Sequence, residues 1–495
     1  MSVEVAFATV AGLRGALRAG ETSAEALTQA TLARIAELNP HFGAFREVIG
    51  DQALARARGL DAAGLSGPLA GVPVAIKDCM CHVDGTTACS SKMLEAYRSP
   101  FTATAVERLE AAGAVVVGKT AMDEFAMGSS CENCAFGVTR NPWDRTRVPG
   151  GSSGGSACAV GAGMVSAALG SDTGGSIRQP AALCGTVGFK PTYGRISRWG
   201  LVAFASSLDQ IGPFTRTVED AALLSSVMFG KDPLDSTSAD VAVDDDLTQV
   251  ERDPGVVRIG LPKQYRLAGA NDPAVDAAVE RAQQAFEAAG AELVEVDLPH
   301  TEYGIATYYV VATAEASSNL ARFDGVHYGH RTPGVDDLVE LYSKSRSEGF
   351  GEEVQRRIML GTYVLSAGYY DAYYNRALKV RRLIRGDFDT AFEAVDAILC
   401  PTTTGPAFEI GAKTDDPLAM YLNDVYTVPA SLAGLPAVSL PGGFAEVDGK
   451  PLPVGVQLIG RAFDEARLLR LARVLERSAE HHKTRPDLTA ATLAG

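Results

Sequence analysis

The sequence predicts a layered α/β fold, with helices on both faces of a sheet, and two observations carry that prediction. Short apolar runs alternate with longer segments of helical period over much of the chain. The stretch from Ala157 to Gly170 has no charge and almost no polar group, so it belongs inside the molecule.

The elements follow in order. Thr22-Ser23-Ala24-Glu25 reads as a capping box, opening a helix on which Leu27, Thr31, Ile35 and Leu38 share a face. Gly71 to Asp78 is strand-like and ends on Lys77-Asp78. Thr104-Ala105-Val106-Glu107 opens a second helix that stops at Gly113, and Ala114 to Gly118 follows as a buried strand. The alternation continues with a strand at 256–261, a helix at 272–289 and a strand at 291–296. Near the C-terminus, 396–400 and 454–460 read as strands before a helix at about 464–480. One domain over 1–495 is expected, with a helical segment at about 1–60. The acidic stretch at about 232–254, including Asp244-Asp245-Asp246, is expected as a surface insertion.

Composition narrows the function classes. Lys and Arg total 45 against 60 Asp and Glu, a net charge of −15, so the bare chain should repel polyanions. Glu4 and the lack of a basic region before an apolar run speak against a signal peptide. Residues 148–171 are uncharged but hold seven glycines, too broken for a membrane span, so a cytoplasmic location is expected.

Chemistry concentrates in two glycine-serine clusters 24 residues apart, Gly150-Gly151-Ser152-Ser153-Gly154-Gly155-Ser156 and Asp172-Thr173-Gly174-Gly175-Ser176. Acyl transfer needs a hydroxyl, a base within reach and N–H groups aimed at the oxyanion; serine, lysine and glycine supply all three. Lys77 ends a run of small and apolar residues, and burial there would lower its pKa towards a usable base. Other readings compete. A Gly/Ser linker should open into solvated sequence, but Ala157 to Gly170 is apolar. A phosphate loop should end in Lys-Ser/Thr, but Ser156-Ala157 follows Gly155. Gly150-x-Ser152-x-Gly154 matches the α/β-hydrolase elbow, yet 141–149 reads as a loop where a strand is needed, and no downstream histidine sits in a recognisable turn after a strand.

Met122 to Ser130, Thr139 to Asp144 and Asp172 to Pro180 resemble the amidase signature family. Gly200 to Pro213, Glu315 to Gly325 and Arg356 to Thr362 are similar to its glutaminase branch, the A subunits of aspartyl/glutamyl-tRNA amidotransferases. The resemblance covers nearly the whole chain and implies a mixed central sheet of many strands. It implies Ser176 as nucleophile, Ser152 as bridging serine after a cis peptide bond, and Lys77 as terminal base. The N–H groups of Thr173, Gly174, Gly175 and Ser176 would form the oxyanion hole. For glutamine it implies Arg357 at the α-carboxylate, Asp424 at the α-ammonium and Tyr308 lining the pocket, with Tyr309 as the rival position.

The same resemblance implies partners. A B-type amidotransferase protein would hold tRNA, ATP and Mg, with a small C-type one bracing the two; this chain would carry no cofactor. A stand-alone amidase acting on another small amide shares the triad and stays open. A silent scaffold would have lost a triad residue, and all three are present. The eight cysteines include Cys79-x-Cys81 and Cys131-x-x-Cys134, which read either as small core residues or as two halves of a zinc site. Cys79 also departs from the family, where asparagine commonly follows the lysine-aspartate pair, and Cys131 and Cys134 replace small polar residues.

Overall fold

A computed structural model describes residues 4–266 and 269–489 of the chain. Eleven strands form one mixed sheet: β1 Phe45–Val48, β2 Pro73–Lys77, β3 Val115–Thr120, β4 Ala167–Asp172, β5 Val187–Lys190, β6 Gln210–Thr215, β7 Arg258–Pro262, β8 Glu292–Val296, β9 Ala397–Pro401, β10 Ala437–Val447 and β11 Lys450–Gly460. Their spatial order is β1-β3-β2-β4-β6-β5-β10-β11-β9-β7-β8. Parallel pairs (β2 with β3 and β4, β7 with β8 and β9) lie towards the two ends, and antiparallel pairs join them through the middle.

Alternation along the central strands builds both layers of the core. Val74 and Ile76 of β2 enter one apolar cluster, while Ala75 between them enters the cluster on the opposite face. Val116 of β3 likewise points away from Val115 and Val117. Helices Thr104–Ala111 and Val218–Met228 cover the first face; Ala24–Phe42 and Gly154–Gly161 cover the second. The uncharged stretch after Gly154 becomes that fully buried helix followed by β4.

The first helix start differs from its capping-box reading, while the second helix begins at Thr104 as read. In the first, the cap is Ser23, whose hydroxyl accepts from Ala26 N, and Glu25 instead pairs with Arg58. In the second, Ala103 holds the cap position and the Thr104 hydroxyl donates to Asp232 Oδ2, at the start of the acidic stretch. A tertiary partner takes the Glu25 side chain, so the capping box of the first helix is not formed. Leu27, Thr31, Ile35 and Leu38 do line the buried face of their helix. Among the described residues no helix is long and apolar enough to cross a membrane.

Candidate active site

Parallel pairing of β2 with β4 sets Ile76 opposite Leu169, so Lys77 and Ser171 emerge together at the carboxyl ends of the two strands. Ligands of α/β sheets bind at such ends. Lys77 Nζ is 2.7 Å from Ser152 Oγ and 2.9 Å from Ser171 Oγ. Neither Lys77 nor Ser152 is exposed at all. Burial penalises the ammonium and holds Lys77 below the ordinary lysine range, against the pull of nearby Asp123 and Asp172.

Ser152 stands in a loop with no strand leading into it, and the Gly151–Ser152 peptide is cis. The hydrolase elbow therefore lacks its strand. Gly151 N–H donates to Gln179 Oε1, Ser153 Oγ donates to the Ser171 carbonyl at 3.1 Å, and Ser153 N–H donates to the Ser176 carbonyl at 3.2 Å. The loop is thus bonded to the end of β4 and to the second glycine-serine cluster at once. Ser176 keeps 8% of its surface open, against 0% for Ser152 and Lys77.

In the turn after Asp172 the carbonyls of Gly174, Gly175 and Ser176 are engaged, while the amides from Thr173 to Ser176 are free. Thr427 Oγ1 donates to the Gly174 carbonyl at 2.7 Å and Gln179 N–H to the Gly175 carbonyl at 2.8 Å. The N–H groups of Thr173, Gly174, Gly175 and Ser176 donate to no other described residue. Close approach explains the glycines. A Cβ on Gly175, where φ is +155°, would lie 2.3 Å from Thr427 Oγ1; one on Gly174 would lie 2.8 Å from Tyr308 Cζ.

Tyr308 and Asp424 therefore border this turn directly. Ser129 Oγ donates to Asp424 Oδ2, while Asp424 Oδ1 is buried without a partner. Burial pushes the Asp424 carboxyl up to about 7. Arg357 lies on helix Glu352–Leu365 among Phe204, Tyr309 and Tyr421, its Cζ 5.2 Å from the Tyr309 ring centre. Its Nε donates to Glu353 Oε1 at 2.8 Å, and its two terminal nitrogens make no hydrogen bond to a described residue. Of the two tyrosines, Tyr308 touches the glycine turn, and Tyr309 stacks on Tyr421 at 3.7 Å beside Arg357.

Residues 26–469 match the model of the amidase family. This chain belongs to that family. It is 58% identical to the A subunit of glutamyl-tRNA(Gln) amidotransferase from Carboxydothermus hydrogenoformans, over 95% of this chain and 97% of that protein. The corresponding protein of Moorella thermoacetica is 55% identical over 99% of this chain and all of its own length. Among solved structures, the A subunit of glutamyl-tRNA(Gln) amidotransferase from Thermotoga maritima matches with a TM-score of 0.81 at 45% identity, over 99% of this chain and 100% of that one. Native peptide amidase from Stenotrophomonas maltophilia matches at 0.80 and 33%, over 97% and 98%.

Several residues that shape this amidase site were not singled out from sequence. Arg178, fully buried, takes Asp172 Oδ1 at 2.9 Å and Asp172 Oδ2 at 3.0 Å, and also reaches Gln457, Ser431 and the Thr427 carbonyl. It ties the serine turn to β11 and to the segment carrying Asp424. Ser171 and Ser129 were equally silent, because a serine's neighbours are set by remote segments. Cys79, the departure beside Lys77, lies 3.8 Å from Ser171 Oγ and is buried. Among the described residues no group of three or more His, Cys, Asp and Glu is placed to hold a metal ion. His300, His327 and His330 pair with Asp387, Asp324 and Glu348, none of them in the Lys77–Ser152 network.

Proposed function

We propose that this amidase hydrolyses glutamine as the A subunit of a tRNA-dependent amidotransferase, working through Lys77, Ser152 and Ser176. The observation that carries the reading is the buried Lys77–Ser152 contact beside a serine turn with free amides. Neutral Lys77 draws a proton from Ser152, which takes one from Ser176; Ser176 Oγ attacks the side-chain amide carbon. The N–H groups from Thr173 to Ser176 meet the oxyanion. The proton returns to the leaving nitrogen, ammonia departs, and water releases glutamate from the acyl-enzyme by the same relay. Arg357 offers two free N–H groups to the α-carboxylate, and the unpaired Asp424 Oδ1 faces the α-ammonium. Tyr308 closes the pocket against Gly174.

The relatives named for glutamyl-tRNA(Gln) amidotransferase support the assignment to a complex. With net charge −15 this chain is unsuited to tRNA, so tRNA, ATP and Mg belong to a B-type partner, braced by a C-type one. We treat the chain as one domain because a single sheet runs through it, and as cytoplasmic because its work lies in translation. The test is ammonia release from glutamine, measured for the chain alone and with co-expressed partners, ATP and mischarged tRNA. Turnover should rise with the partners. High turnover alone, unchanged by partners, or strong preference for another amide would make it a stand-alone amidase.

A further inference from the structure

The helix that buries Arg357 exposes its other side. Met359 is 71% and Tyr363 49% exposed on helix Glu352–Leu365. The π-helical turn Asp371–Asn375 and the residues before it bring Tyr369 and Tyr373 onto Tyr363, with ring centres 4.5 Å apart for Tyr363–Tyr369 and 5.9 Å for Tyr369–Tyr373. Tyr369 and Tyr373 are themselves 41% and 42% exposed. Exposed apolar residues are ordinarily scattered; a contiguous aromatic cluster marks an interaction site, and tyrosine is enriched in interface cores. Single π turns are also frequent at functional positions.

Charge around the cluster runs against the rest of the protein. From Tyr363 to Arg385 there are five Lys and Arg and one acid, Asp371, in a chain of net charge −15. Arg381 and Arg385 are used by the fold, donating to the carbonyls of Leu432 and Ala433. Arg376, Lys379 and Arg382 recur at every third position on the exposed side of helix Arg376–Ala394, and their side chains bond to no other described residue. Their charge is available to a partner.

We propose that this tyrosine cluster and its basic flank form the docking surface for the B-type partner of the amidotransferase, which meets it with an acidic, partly apolar face. The inference rests on the function proposed above. Tyr363 and Arg357 stand about 120° apart around one helix, about 10 Å thick, so a protein docked here sits beside the site that releases ammonia. A second copy of this chain fits less well: a two-fold contact sets the same patch against itself, cation facing cation. RNA fits less well too, because the three rings pack on one another where nucleotide stacking needs separate platforms, and the whole chain repels polyanions.

The test uses the full chain with the B- and C-type subunits encoded by the same genome, with affinity measured at several salt concentrations. The double variant Tyr369→Ser/Tyr373→Ser should weaken assembly by about tenfold or more, the scale of losing interface anchors. Arg382→Glu should weaken it and flatten its salt dependence. Val256→Ser, at an exposed position elsewhere, should do nothing. All variants should keep the melting temperature and glutaminase activity of the free chain. Wild-type assembly with undiminished binding by the tyrosine and Arg382 variants overturns this proposal alone. Light scattering that shows a dimer of the free chain abolished by the double variant overturns it in favour of self-association. RNA binding lost in the double variant overturns it in favour of nucleic acid. Failure of the wild-type chain to assemble with those subunits removes the amidotransferase reading, and this surface with it.

Discussion

Lys77 Nζ lies 2.7 Å from Ser152 Oγ, and neither residue has any surface open to solvent. A proton passed between them cannot be supplied by bulk water, so each is irreplaceable in the relay. Lys77→Ala and Ser152→Ala should each lower kcat by about two decades or more, the range of a lost acid–base step. Lys77→Arg should not restore activity, because guanidinium does not give up its proton. Steady-state ammonia release checks this; arginine working as well as lysine would remove the general-base role.

Ser176→Ala should abolish glutamine hydrolysis and leave the circular dichroism spectrum and melting curve unchanged. Ser176 is the serine of the relay with some open surface, and alanine removes only its hydroxyl. Trapping an acyl-enzyme by mass spectrometry in wild type but not in the variant is the direct readout. Activity within a few-fold of wild type would assign the nucleophile elsewhere.

Acid should weaken the use of glutamine through Asp424. Its carboxyl is pushed up to about 7 by burial, so in the free enzyme it takes up a proton as pH falls through that value and can no longer pair with an ammonium. kcat/KM should fall below about pH 7, and Lys77, which must be neutral, adds to the same limb. Asp424→Asn should lower kcat/KM at neutral pH and reduce its dependence on pH. A profile with the same slope in the variant would detach Asp424 from substrate binding.

Gly175→Ala should lower glutamine turnover at least tenfold and stability by about 1 to 3 kcal/mol, the usual cost of overpacking. The new methyl meets Thr427 Oγ1 at 2.3 Å and Asp424 Oδ1 at 3.0 Å, so the turn must shift away from the substrate pocket. Denaturant titration alongside kinetics separates the two effects. A variant that keeps wild-type kcat/KM would show that the turn's shape is not needed.

Arg178→Ala should be the most destabilising of these changes. It strands the fully buried Asp172 carboxylate, and breaking a buried pair on one side costs about 3 to 5 kcal/mol. The Arg178 partner holds Asp172 below its ordinary carboxylate range, so the wild-type pair loses its benefit as pH falls through that lowered value. Urea unfolding at neutral pH measures the loss; a change under about 1 kcal/mol would contradict the ion-pair account.

Periodicity and local chemistry carried most of the elements. The strand-like run before Lys77, the helical face of Leu27, Thr31, Ile35 and Leu38, and the uncharged stretch from Ala157 all became buried elements of their predicted kind. The start of the first helix was less legible. The second helix did begin at Thr104, but in the first Glu25 had a tertiary partner, Arg58, that no window of a few residues contains.

The sequence by itself determined the α/β layering, the family through its glycine-serine motifs, and a short roster of residues with the right chemistry. Only the tertiary structure decided how they meet. Lys77 and Ser152 are 75 residues apart and touch because β2 pairs in parallel with β4, beside which the Ser152 loop is bonded. Asp424 reaches Ser129 across 295 residues, and Arg178 reaches Gln457 across 279. Hydrophobic periodicity is a property of neighbours along the chain, and it chooses the face a residue buries. Which remote face it meets depends on strand order and register, and those arise only when the whole sheet closes on its core.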